Sequence, residues 1–189
     1  MKNLFSEIPS LEGERVILKP LTADDADALR ELTDSKDVYR YLPTFLYEKK
    51  YDDKSYVIDH LYDECVKTSL ILGVYFEEKL CGLAEIYGYR APLKKASVGY
   101  RLMKKYWGRG IATETLGLMV GYLLEETDVK IITASTMAAN KSSANVLKKN
   151  GFKRIGYTVF ENWGYAKPIM TEKWIRTEVG YRRQYDFRD

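Results

Sequence analysis

Apolar and polar residues along this chain keep one of two periods, and the places where the period changes mark its elements. Val16 and Leu18 alternate with polar neighbours, which predicts a strand over 13–21 ended by Pro20. Thr22, ahead of Asp24 and Asp25, has the form of a helix start: a capping hydroxyl followed by acids in the first turn. Ala26, Leu29, Leu32 and Thr33 recur behind it at helical spacing. A short turn of helix fits 35–41, stopped before Pro43. A longer helix is expected over about 53–67, burying Val57, Ile58, Leu61, Cys65 and Val66. Residues 70–76 and 80–87 flank the polar Glu77, Glu78 and Lys79, the pattern of a β-hairpin.

The period changes most sharply after residue 103. Val98, Tyr100 and Leu102 alternate with Gly99, Arg101 and Met103, as in a strand. Gly108 and Gly110 follow, and from Ile111 the spacing is helical, with Ala112, Leu116, Met119, Val120, Leu123 and Leu124 on one face. A strand is expected over 130–136 and a helix over 142–149, with Asn150-Gly151 as its cap. Residues 153–161 and 167–176 read as a closing hairpin around Asn162-Trp163-Gly164. The tail, 178–189, mixes Tyr, Phe and Arg and suits docking on the domain or on a second copy of the chain, as in a homodimer.

Composition narrows the class. A chain of 189 residues with 46% apolar residues is long enough for one well-buried domain. Its longest apolar run, 70–76, is too short to span a bilayer, and the start lacks the apolar core of a signal peptide. Cys65 and Cys81 form no disulfide framework and no metal-ligand spacing, which points to a reduced, cytoplasmic protein without a metal. The net charge of +3 is spread over dibasic pairs rather than one stripe, so neither nucleic acid nor a membrane is expected as a partner.

The strand–glycine–helix junction is built for an anion. The first N–H groups of a helix lack intrahelical partners, the helix dipole adds positive charge there, and glycines let a phosphate approach. Arg109 could add a charge-assisted bond. The P-loop pattern is absent. A dinucleotide fingerprint fits only with Thr113 in the third glycine position, and Asp128 then precedes the next apolar run instead of ending it.

Three motifs in order carry a resemblance. Trp107-Gly108-Arg109-Gly110-Ile111-Ala112 resembles the acyl-CoA pyrophosphate loop of the GNAT N-acetyltransferases, in the form it takes in the branch of ribosomal-protein N-terminal acetyltransferases. Asn140, Ser143, Leu147 and Gly151-Phe152 match that family's Asn-x-x-Ser-x-x-x-Leu-x-Lys-x-Gly-Phe, and Leu11, Arg15, Leu18 and Pro20 match the opening of the same branch. The resemblance implies a single GNAT-like α+β domain over 1–189, with a core of about 11–177. Its central sheet would be mostly antiparallel and strongly twisted, flanked by about four helices. The activity implied is transfer of the acetyl group of acetyl-CoA to a primary amine.

The resemblance also distributes roles. Backbone of Gly108, Arg109, Gly110, Ile111, Ala112 and Thr113 would hold the pyrophosphate. Tyr100, Leu102 and Met103 would pair with the pantetheine arm, an N–H near Met103 facing the thioester oxygen, and Asn140 would hydrogen-bond the same arm. Leu147 stands where many members carry a proton-donating Tyr, which directs that role to Ser143; a helix-start serine bonded to backbone is the alternative for it. Glu85 is the first candidate base and Glu161 the second; Ser97 stands where relatives often have Glu, so a water-relay base is not expected at that position. The aromatic stretch holding Tyr39, Tyr41 and Phe45 reads either as a lid or, with Tyr87, as an acceptor pocket. The single histidine, His60, lies outside every motif. The acceptor could be a protein N-terminal amine, a polyamine or an aminoglycoside-like molecule. A non-catalytic acyl-CoA-binding regulatory module is the rival class.

Overall fold

The predicted hairpin forms around a two-residue turn, Glu77-Glu78, both residues left-handed (φ 50° and 61°), so that strand twist and turn twist agree. The structure, a computed structural model, describes residues 8–65 and 69–178. The expected burial of the Cys65 and Val66 side chains, and the tail beyond Glu178, fall outside the described residues.

The elements in chain order are β1 (Leu11–Glu12), β2 (Val16–Lys19), α1 (Ala26–Asp34), α2 (Lys36–Tyr39), α3 (Lys54–Cys65), β3 (Ser69–Phe76), β4 (Lys79–Arg90) and β5 (Lys95–Leu102). After them come α4 (Ile111–Gly121, continued as a π turn over Tyr122–Glu126), β6 (Ile131–Met137), α5 (Lys141–Lys149), β7 (Lys153–Glu161) and β8 (Ile169–Thr177). Five α-helices stand among the described residues where about four were expected, the extra one being the single turn α2. The Thr22 start is a capping box: the Thr22 N–H donates to Asp25 Oδ2 at 2.8 Å.

All eight strands join one open sheet in the order β1-β2-β3-β4-β5-β6-β8-β7. Every neighbouring pair is antiparallel except β5 and β6, which α4 connects by a crossover. Alternation sends Leu70, Leu72, Val74, Ala84, Ile86 and Val98 to the face covered by α4 and α5. Ile71, Tyr75 and Leu83 go to the other face, under Leu29 and Leu32 of α1 and Val57, Ile58 and Leu61 of α3. Because helices cover both faces, β5 also buries its polar alternate Arg101, which is only 4% exposed.

Candidate active site

β5 and β6 stay together for three residue pairs, from Lys95↔Ile131 to Ser97↔Thr133. Beyond that point β5 follows β4 through Leu102 and β6 follows β8 through Met137. Each strand keeps its antiparallel partner, and the twist of the sheet carries the two pairs apart. The split opens a groove of about 830 Å³, with Val98 to Leu102 on one wall and Ala134 to Thr136 on the other.

Hydrogen bonds fix which amides face the groove. The Lys94 carbonyl accepts from Lys130 and Ile131 N–H, and Ala96 O accepts from Thr133 Oγ1, all on the β6 side. Met103 N–H donates to Cys81 O at 2.9 Å, on the β4 side. By alternation the amides of Val98, Tyr100 and Leu102 face the split. This corrects the expected role of Met103: its N–H is committed to β4, and its side chain is buried under α1 and α3. Leu102 is the last residue whose N–H faces the groove, while its carbonyl accepts from Trp107 Nε1 at 2.7 Å. The indole thus ties the loop to the end of β5.

At the mouth of the groove Gly108 and Gly110 are left-handed (φ 74° and 82°), a conformation that favours glycine. Thr113 and Glu114 N–H return to Gly110 O, so Ile111 and Ala112 N–H are the donors that α4 leaves without intrahelical partners. Gly108, Gly110, Ile111, Ala112 and Thr113 line the groove. Arg15 braces this loop: Nη1 donates to Arg109 O at 3.1 Å, and Nη2 pairs with Glu114 at 3.2 Å. The Arg109 side chain departs from expectation. Its guanidinium lies over the Phe76 ring, 6.0 Å from the centroid, and it does not line the groove.

Asn140 caps α5, its Oδ1 accepting from Ser143 N–H at 3.1 Å, and both residues line the groove. Ser143 Oγ lies 3.2 Å from the Tyr100 hydroxyl, which bridges α5 and β5 across the split. The hydroxyl pair was not legible in the sequence, because Tyr100 counted there only as a strand residue. Leu147 is 2% exposed beside the pair.

The other end of the groove holds Tyr41, Phe45, Glu85, Tyr87, Glu161 and Trp163. Tyr39 does not line it, contrary to expectation: its hydroxyl donates to Glu48 Oε1 at 2.8 Å. Burial, then the Glu48 charge, hold the Tyr39 phenol far above its usual range. Glu48 is the missed residue. It is 1% exposed and meets Arg101 through Nε at 2.6 Å and Nη2 at 2.8 Å. Arg101 Nη1 reaches on to Glu85 Oε2 at 3.0 Å. Burial alone would push the guanidinium down; Glu48 and Glu85 more than reverse that and keep it charged.

Glu161 pairs with Lys173 at 2.5 Å and accepts from Thr171 Oγ1 at 2.8 Å. Burial raises its carboxyl, but Lys173 and Thr171 outweigh that and hold it below the usual range. Tyr87 stands between the two acids: burial first, then Glu85 and Glu161, push its phenol up to about 12. His60 is stacked on Tyr56 at 4.0 Å, outside the groove. The aromatic loop is tied to the β7–β8 loop by Thr44 N–H to Trp163 O at 2.9 Å and by the Tyr165 hydroxyl to Leu42 O at 2.7 Å.

A split sheet with a bare strand edge and a glycine-preceded helix N-terminus is the framework of an acyl-CoA-dependent transferase. The chain belongs to the GNAT acetyltransferase family, since the family model for the acetyltransferase (GNAT) domain matches residues 15–153. It is 26% identical over 152 residues to an uncharacterized N-acetyltransferase, YoaA, of Bacillus subtilis (strain 168), covering 78% of this chain and 85% of that one. Its fold resembles that of RimL, a ribosomal alpha-N-protein acetyltransferase solved with coenzyme A (TM-score 0.73, 14% identity, 89% of this chain and 98% of that one). It equally resembles spermidine N-acetyltransferase from Vibrio cholerae, solved with CoA and spermine (TM-score 0.74, 16% identity, 90% of this chain and 99% of that one). The protein is an acetyl-CoA-dependent N-acetyltransferase. Among the described residues no three metal-ligating groups cluster, and no helix is long and apolar enough to cross a membrane.

Proposed function

We propose that this enzyme acetylates the α-amine of a peptide or protein N-terminus. The observation that carries the choice is charge balance. Each carboxylate lining the groove touches a protein cation: Glu85 has Arg101 at 3.0 Å, Glu161 has Lys173 at 2.5 Å and Asp37 has Lys104 at 2.8 Å. Arg101 is shared with Glu48, so this trio leaves one net negative charge, enough for a single ammonium. A polyamine or aminoglycoside would need several. A single amine on a peptide needs one base and apolar walls, which Tyr41, Phe45, Tyr87 and Trp163 supply.

Acetyl-CoA supplies an activated acetyl thioester. The Val98, Tyr100 and Leu102 amides hold the pantetheine arm as an added strand would be held. Gly108, Gly110 and the Ile111 and Ala112 N–H groups receive the pyrophosphate. Asn140 meets the arm through its amide nitrogen, its oxygen being committed to Ser143 N–H. Glu85 takes the proton from the acceptor amine, Arg101 holding one of its two oxygens in place. Ser143 donates to the departing sulfur.

An acceptor panel read by thiol release tests the proposal. A peptide with a free N-terminus should be turned over, with kcat/KM at least about tenfold above spermidine or an aminoglycoside, and the N-terminally blocked peptide should be inert. Preference for spermidine or an aminoglycoside overturns the acceptor. No release with any amine leaves only the acyl-CoA-binding module.

A further inference from the structure

Two hydroxyls face each other across the split sheet, and only one can give its proton to the groove. Tyr100 OH and Ser143 Oγ are 3.2 Å apart, both half-buried and both on the groove wall. The Ser143 backbone N–H is taken by Asn140 Oδ1. Leu147, on the same helix and the same wall, has no proton to offer. Were Ser143 to donate to Tyr100, its single proton would point away from the groove.

We propose that Tyr100 is a positioning residue: its O–H donates to Ser143 Oγ and thereby directs the Ser143 proton at the sulfur of coenzyme A. This rests on the role given to Ser143 above. Burial, outweighing the hydrogen bond to Ser143, pushes the Tyr100 phenol up to about 12, so it keeps its proton through the working range. In the reaction the amine's electron pair forms the C–N bond and the C–S pair leaves on sulfur. The proton lost from nitrogen passes to Glu85, and Ser143 O–H donates to the sulfur. Exchange with solvent restores Glu85 and Ser143, so the net change is one proton moved from nitrogen to sulfur. Tyr100 itself loses nothing; it fixes the direction of a hydroxyl rotor that is otherwise free to turn.

Two measurements on the full chain test this. The first is a kinetic cycle of Y100F, S143A and the double variant. Y100F should lower kcat about tenfold with the KM for acetyl-CoA unchanged, and the double variant should be no slower than S143A, as for groups acting as a unit. The second is equilibrium binding of CoA and desulfo-CoA near pH 9.5, where far more of the thiol is ionised than at neutral pH. The parent should prefer CoA over desulfo-CoA, and that preference should fall in both Y100F and S143A. Multiplicative losses in the cycle, a Y100F effect confined to KM, or an unchanged CoA preference in Y100F overturns the positioning role and leaves Ser143 standing. An S143A variant as fast as the parent overturns the Ser143 reading itself, and this one with it.

Discussion

Replacing Glu48 with alanine should destabilise the fold by about 3–5 kcal/mol, a fall in melting temperature of roughly 10 °C for a chain of this size. The residue sits in a single 3-10 turn, Tyr47–Lys49, and touches no substrate in the mechanism, yet it neutralises a guanidinium that is almost wholly out of water. Without it, Arg101 Nε and Nη2 lose their partners and the Tyr39 hydroxyl loses its acceptor. Glu85 would remain on Nη1 alone. Removing both charges together, as E48L with R101M, should recover part of the loss, because no guanidinium is left buried without its partner; the recovery stays partial because Glu85 loses its cation. Thermal or urea melts measure both variants. A loss below about 1 kcal/mol for Glu48→Ala would place the pair in the class of exposed salt bridges and contradict its burial.

Glu85→Gln should lower kcat by about 100-fold or more, the usual weight of a general base, while the melting temperature barely moves. The two effects separate because Arg101 keeps its contacts with Glu48 when Glu85 loses its charge. Glu161→Gln should cost less than about fivefold. Lys173 and Thr171 already hold that carboxyl below its usual range, which makes it a weak base at neutral pH. Steady-state rates for the two variants, against the parent and with the same peptide acceptor, decide between the acids. A larger loss for Glu161→Gln would exchange their roles.

The parts of this site that were legible in the sequence are those made by local chemistry. Gly108 and Gly110 announce a left-handed turn ahead of a helix, and both are left-handed. The switch from alternation to helical spacing at Ile111 marks the first residue of α4. The helix expected over 142–149 forms at Lys141–Lys149, with Asn140 as its cap. What stayed hidden depends on strands meeting far apart in the chain. Glu48-Lys49-Lys50 looks like a solvated charge run; only the path of the loop sets Glu48 against Arg101 of β5. Met103 continues the alternation of β5, but the phase of the β4 ladder turns its N–H away from the groove. Tyr100 acquires a partner only when α5 docks beside the split. Arg109 reads as a phosphate ligand by position, and the Phe76 ring draws it elsewhere.

Every role proposed for these residues requires the groove between β5 and β6 to be the acetyl-CoA site. The direct measurement is the melting temperature of the parent and of Gly110→Val, each with acetyl-CoA and with NADH. Ligand at about 100 times its dissociation constant adds about 2.7 kcal/mol, a rise of roughly 5–10 °C. The parent should show that rise with acetyl-CoA and not with NADH. Gly110→Val should lose it, because a β-branched residue does not accept φ 82° at the helix start. A rise with NADH instead, or an equal rise with acetyl-CoA in the variant, would mean that the cofactor binds elsewhere and that the site has been misplaced.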